Sequence, residues 1–218
     1  MKKLVSTLNL DYEEWLSYRK QSIGGSDCAT IVGFNKHKSP YSLWAEKKGF
    51  FDTTQNDTEI MRQGRDFEEY VAQRFCEATG KKVRKRNYIF LHDDYEFISA
   101  NIDREIVGEN AGLECKTTSL LNKTDFENEE IPDYYYCQCM HYMAVMGYDK
   151  MYVAVLVQSK AFHWFEIKRD DKEIEALINM EVEWWNRYIL GNETPEIDGT
   201  DSTLNTIKYI NKDISTEI

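Results

Sequence analysis

Apolar residues recur along this chain at two spacings, and the changes of spacing mark its elements. Residues 11–21 carry a helical pattern, and a Gly24-Gly25 pair then leads into a short helix at 26–32 with Ser26 or Gly25 as its cap. Ser39 as N-cap, Pro40 in the first turn, apolar Leu43 and Trp44, and Gly49 past the end punctuate the next helix. Ile60, Phe67, Val71 and Phe75 fall at near-helical spacing over 59–79, and Gly80 closes an amphipathic helix. Strand-like segments follow at 87–91, 95–102, 104–108 and 111–116. Pro132 opens a second long helix to about 147, and the aromatic-rich segments 151–158 and 161–168 read as a hairpin pair. Asp170 with Glu173 resembles a capping box for a last helix ending near Gly191.

This order predicts an α/β fold, a mixed central β-sheet flanked by helices. No repeat or Pro/Gly-rich linker interrupts residues 1–218, so one domain is expected. Periodicity is weak from residue 196 to 218, which reads as a peripheral tail. At 218 residues the chain can bury a substantial core, and 42% hydrophobic with 13% aromatic residues exclude a disordered chain. Apolar stretches such as 151–157 are far too short to cross a bilayer, and the start MKKLVSTLNLDYEEW lacks an apolar signal region. A cytoplasmic location without a membrane partner is the expectation.

Five cysteines, an odd number without framework spacing, fit a reducing compartment and structural thiols. Cys137-Gln-Cys139 lacks the second pair that a structural zinc site needs, and no cysteine follows it to complete an iron–sulfur cluster. A net charge of −11 argues against a nucleic-acid partner. Net charge is not local charge, however. KKVRKR at 81–86 places five cations in six positions, and Lys36, His37 and Lys38 form a smaller group. Each run alone reads as a solvated face, while an acidic exterior around a confined basic channel stays open.

The chemistry begins with Asp103, followed by Glu114-Cys115-Lys116 on the last of the four strand-like segments. Side chains alternate along a strand, so Glu114 and Lys116 project together while Leu113 and Cys115 turn inward. Two carboxylates and an ammonium at one spot can hold a divalent cation through oxygen and keep a cation beside an attacking water. That is equipment for cutting phosphodiesters. Gly64 and Glu68 stand one turn apart on the first long helix, so Glu68 can supply a third carboxylate. Gln138 stands one turn from Tyr134 and Tyr142, with His141 alongside. Acidic and basic residues also alternate on exposed strands, and the pattern by itself leaves that reading open.

Six blocks, in order, resemble the YqaJ-type viral recombinases, relatives of the phage lambda exonuclease within the PD-(D/E)xK nucleases. They are RKQSIGGSDCATIVGFNKHKSPYSLWAEKKG at 19–49, GRDFEEYVAQRF at 64–75, ISANIDREI at 98–106, LECKT at 113–117, IPDYYYCQCMHYMAVMGYDKMYVAVLV at 131–157, and FHWFEIKRDDKEIEALI towards the C-terminus. The resemblance implies a restriction-endonuclease-like core in which Asp103, Glu114 and the carbonyl of Cys115 bind Mg2+, with Mn2+ as a substitute. Glu68 completes or supports a second metal position, and Lys116 orients or helps deprotonate the attacking water. Gln138 contacts the scissile strand, and Arg19 and Ser26 grip a terminal 5′-phosphate. An Arg guanidinium makes paired bonds to phosphate, and the start of a helix favours an anion, so the last pair has a physical rationale of its own.

Asn101 departs from the family pattern, which has a Ser near the phosphate pocket, so its role is open. Met61 takes the place of an apolar wedge between base pairs, with an ordinary core Met as the other reading. Trp15 and His141 read as supporting residues. The implied activity is a Mg2+-dependent 5′-to-3′ exonuclease on linear double-stranded DNA that leaves 3′ single strands for phage-type recombination. Implied partners are a single-strand annealing protein and two further copies in a ring-shaped homotrimer, in a bacterial cell carrying a phage or prophage. The alternatives are a related endonuclease or 3′-directed nuclease, and a noncatalytic DNA-end-binding subunit.

Overall fold

The computed structural model describes residues 1–50, 58–118, 131–157 and 160–212. The chain opens with β1 (Lys2–Ser6), α1 (Tyr12–Lys20), α2 (Gly25–Ile31), α3 (Pro40–Lys47) and the long α4 (Glu59–Thr79). Four short strands follow, β2 (Val83–Arg84), β3 (Tyr88–Leu91), β4 (Ser99–Ala100) and β5 (Arg104–Ile106), and then β6 (Ala111–Thr118). α5 (Asp133–Met146), β7 (Lys150–Val157), β8 (Ala161–Lys168), α6 (Asp171–Trp184) with a π-helical extension Trp185–Leu190, and α7 (Asp201–Ile210) complete it.

The expected mixed sheet is present, in the order β2-β5-β6-β7-β8. β6 and β7 run parallel, with Leu113 opposite Tyr152 and Glu114 opposite Val153, and their neighbours are antiparallel. A parallel pair needs a crossover, and α5 supplies it. Alternation along these strands sends residues to two different cores. Leu113, Tyr152 and Ala154 meet Val71, Ala72 and Phe75 of α4, while Val153 and Val155 join Met140 and Met143 of α5 in the larger cluster. Glu114 therefore emerges on the α5 face, between the sheet and its crossover helix.

A second, three-stranded sheet, β1-β3-β4, was not legible in the pattern. The strand expected at 95–102 shrinks to Ser99–Ala100, because the Ile98 N–H turns back to the Tyr95 carbonyl and Ile98 bridges Ile23 instead. Residue 158, expected to close β7, lies outside the described residues. The cap of α2 is Gly24, its N–H held by the Asp27 carboxylate, so Ser26 sits inside the first turn. Asp170 caps α6, but Glu173 accepts from the Tyr136 hydroxyl at 2.6 Å instead of closing a box. On α4, Ile60 is 80% and Met61 50% exposed. Both lie ahead of the stretch of α4 that packs on the sheet, so Met61 is no core residue.

The weakly patterned tail also proves structured over 201–210. α7 packs on α3 through hydroxyls: Thr203 donates to Ser39, and Ser42 meets Ser202 and Thr206 at 2.8 Å each. A seam of Ser and Thr gives no apolar periodicity. Four of the five cations at 81–86 pair with neighbouring carboxylates, Lys81 with Glu109, Arg84 and Arg86 with Glu105, and Lys85 with Glu69. Cys137 and Cys139 are buried and free. Among the described residues, no helix is long and apolar enough to cross a membrane.

Candidate active site

Asp103 immediately precedes β5, and its Oδ2 accepts the Cys115 N–H at 2.7 Å, which brings it against the middle of β6. Glu114 and Lys116 share one face of β6 as the strand period requires, and Lys116 Nζ donates to Glu114 Oε1 at 2.7 Å. Gln138, on α5, donates to the same oxygen at 2.8 Å and lies 2.9 Å from the Tyr142 hydroxyl one turn on. That hydroxyl in turn reaches the Asn101 carbonyl at 3.3 Å. β6 and α5 thus converge on Glu114, while Asp103 is held to the next residue of β6.

Glu68 faces the sheet from α4, half-buried, in a clamp absent from the sequence reading. The buried Arg104 guanidinium binds Glu68, donates to Glu69 at 2.9 Å and folds back on the Asp103 carbonyl at 2.7 Å. The space above Glu68 does not require Gly64: a Cβ built on it would make an ordinary contact with Thr117 of β6, at 3.8 Å. An Arg on a three-residue strand gives no signal of burial, so Arg104 was not legible.

Arg19, at the end of α1, donates to the Ser26 hydroxyl at 2.6 Å. Its guanidinium carbon lies 4.8 Å from the Trp15 ring, a cation–π contact, and the Trp15 indole N–H donates to Asn101 Oδ1 at 3.2 Å. The Asn101 amide donates to the Tyr88 carbonyl, so both of its ends hold structure, and it meets the Arg19–Ser26 pair only through Trp15. Beneath that pair lies buried Asp27, held by Lys47 at 2.7 Å and approached by Arg19 at 3.8 Å and Lys38 at 3.9 Å. Burial works to raise the Asp27 carboxyl, but Lys47, Lys38 and Arg19 outweigh it and hold the group below the usual carboxylate range. Gly25 lets α2 lie against Tyr142, since a Cβ there would stand 2.5 Å from the Tyr142 ring. The Arg19–Ser26 pair is therefore packed against the helix that carries Gln138.

Burial raises the Asp103 carboxyl well above the ordinary range, helped by Glu114 and Glu68 and only partly offset by Lys116 and the Cys115 N–H. For Lys116, burial acts downward, yet Glu114, Tyr135 and Asp103 prevail and hold its ammonium above the usual lysine value. Among the described residues, Glu114 Oε2 is buried without a hydrogen-bond partner. A buried carboxylate oxygen with no donor, beside two more carboxylates, fits a hard divalent cation that takes oxygen ligands. The donor set thus suits the implied Mg2+.

Two solved structures share this fold at low identity. An alkaline exonuclease from Laribacter hongkongensis, in complex with dAMP, aligns over 94% of this chain and 100% of its own with a TM-score of 0.68 at 15% identity. A phage related exonuclease from Haemophilus somnus 129PT aligns over 89% and 95% with a TM-score of 0.52 at 16% identity. The fold is restriction-endonuclease-like. The uncharacterized protein YqaJ of Bacillus subtilis (strain 168) is 42% identical over 207 residues, covering 94% of this chain, which spans 65% of that protein's length. Residues 14–149, more than half the chain, match the model of the YqaJ-like viral recombinase domain, and the protein belongs to that family.

Proposed function

We propose that the protein is a Mg2+-dependent exonuclease that digests one strand of linear double-stranded DNA from the 5′ end and leaves 3′ single strands for phage-type recombination. The observation that supports this most is the meeting of Asp103, Glu114 and Lys116 at one spot of β5 and β6, with Glu114 Oε2 buried and lacking a donor among the described residues. In this reading Asp103, Glu114 and the Cys115 carbonyl hold Mg2+, and Glu68 supports a second ion. Bound there, the metal stabilises charge that develops on the phosphoryl oxygens.

The protein's own groups do the rest. Lys116 orients the attacking water, and Gln138, anchored between Glu114 and Tyr142, contacts the scissile strand. Arg19 offers paired charge-assisted bonds to a 5′-phosphate, while Ser26, which accepts from Arg19, also carries a hydroxyl proton to donate. The same reading assigns a ring-shaped homotrimer and a single-strand annealing partner. A ring retains DNA by enclosure, so the −11 chain needs no broadly basic surface.

The test is digestion of end-labelled linear duplex in Mg2+. The 5′ label should be released first, and Asp103→Ala, Glu114→Ala and Lys116→Ala should each lower the rate by at least about 100-fold. Parent-like rates in those variants sink the site. A covalently closed circle should survive; its cleavage would make the enzyme an endonuclease.

A further inference from the structure

We propose that Lys47 is a positioning residue for the 5′-phosphate subsite, neutralising Asp27 so that the Arg19 guanidinium stays available to the phosphate. This rests on the assignment of Arg19 and Ser26 given above. The Lys47 side chain is 0% exposed, and its Nζ has three acceptors: Asp27 Oδ2 at 2.7 Å and the carbonyl oxygens of Arg19 and Ser22 at 2.6 Å each. Three acceptors are the complement of an ammonium. The Arg19 carbonyl lies in the last turn of α1 and the Ser22 carbonyl two residues past its end, where the chain turns towards α2. Asp27 belongs to the first turn of α2 and also receives the Gly24 N–H at 3.1 Å. One buried cation therefore ties the end of the helix that carries Arg19 to the start of the helix that carries Ser26.

The electrostatic consequence follows from the neighbours of Asp27. Its Oδ1 lies 3.8 Å from Arg19, while Lys38, at 3.9 Å, is already bonded to Glu46. A carboxylate and a phosphate compete for the same guanidinium. Without Lys47, Asp27 becomes a buried charge lacking its main partner, and the nearest cation not bonded to another carboxylate is Arg19, since Lys38 is held by Glu46. Arg19 would then swing from Ser26 to Asp27, and the phosphate would lose its strongest ligand. Lys47, fully covered, acts only through Asp27 and the two backbone carbonyls.

Digestion of 5′-phosphorylated and 5′-hydroxyl duplexes by the parent, Lys47→Met, Lys47→Met/Asp27→Asn and Arg19→Ala proteins tests this. Lys47→Met should raise KM for phosphorylated ends about tenfold, leaving kcat and the hydroxyl-ended rate in place. The double variant should recover most of the preference, because no carboxylate then competes for Arg19. A merely structural lysine predicts a lower melting temperature in Lys47→Met with the preference for phosphorylated ends intact. Parent-like preference in Lys47→Met, or a double variant no better than the single, overturns the proposal. Should Lys47→Met fail to fold, the double variant, which leaves no lone buried charge, decides: a preference like the parent's supports the role and one like that of Arg19→Ala refutes it. Preference that persists in Arg19→Ala refutes the phosphate subsite itself. Preference lost in Arg19→Ala but kept in Lys47→Met refutes only the role of Lys47.

Discussion

Arg104 does at the scale of one residue what the sheet cannot do by itself: it holds a helix carboxylate beside two strand carboxylates. It binds Glu68 and Glu69 and returns to the Asp103 backbone from a buried position. Arg104→Met should cost about 2 kcal/mol in urea unfolding, less than a fully buried broken pair, because Glu69 is 74% exposed and regains water. Activity should fall with it, since Glu68 loses its anchor; unchanged stability and activity would show that the clamp does nothing. Glu114 and Lys116 were legible in the sequence because a strand's two-residue period fixes which side chains share a face, and Asp103 through the resemblance of its block. Arg104, Lys47 and Asp27 were not. Their partners lie 36, 20 and 20 residues away across helix packing that no local pattern encodes.

At the scale of elements, the contact between α2 and α5 couples the Arg19–Ser26 pair to Gln138, and Gly25 makes it possible. A methyl at position 25 would stand 2.5 and 2.8 Å from two ring atoms of Tyr142, a buried side chain whose hydroxyl bonds Gln138. Gly25→Ala should therefore destabilise by about 1–3 kcal/mol and slow digestion by displacing Tyr142, read by urea unfolding and by rate. A parent-like variant would mean that the ring is free to move. Legibility differs between elements for a physical reason. α4 announces itself through its apolar period and the stop at Gly80, α5 through its start at Pro132 and the stop at Gly147, with φ near 70° and 67° at the two glycines, and the β7–β8 hairpin through its aromatic-rich runs. The β1-β3-β4 sheet joins residues 2–6 to 88–91, a pairing set by tertiary context, and α7 docks through hydroxyls in place of an apolar stripe.

At the scale of the whole molecule, two buried ionic pairs should contribute opposite slopes to stability against pH. His141 Nε2 donates to the Ser99 carbonyl at 2.8 Å, and Nδ1 meets Glu181 at 2.8 Å, joining β4, α5 and α6. Burial disfavours the imidazolium, but Glu181 and the Ser99 carbonyl overcome it and raise His141 above its ordinary 6.5. A raised histidine contributes stability that is complete below about 6.5 and is lost as pH climbs through the raised value. Asp27 works in the opposite sense: lowered from 3.8, it contributes stability that is present above that value and disappears as pH falls through the depressed one. Melting temperature against pH in a chelator should therefore form a dome, with its alkaline side set in part by α5–α6 and its acid side by α2–α3. Glu181→Gln removes the main charge that raises His141 and should flatten the alkaline slope, because burial is then opposed only by the Ser99 carbonyl and Asp27. Asp27→Asn should flatten the acid slope and leave the alkaline one in place. An alkaline slope that survives Glu181→Gln unchanged would remove the His141 pair from the account and assign that limb to other titrating groups.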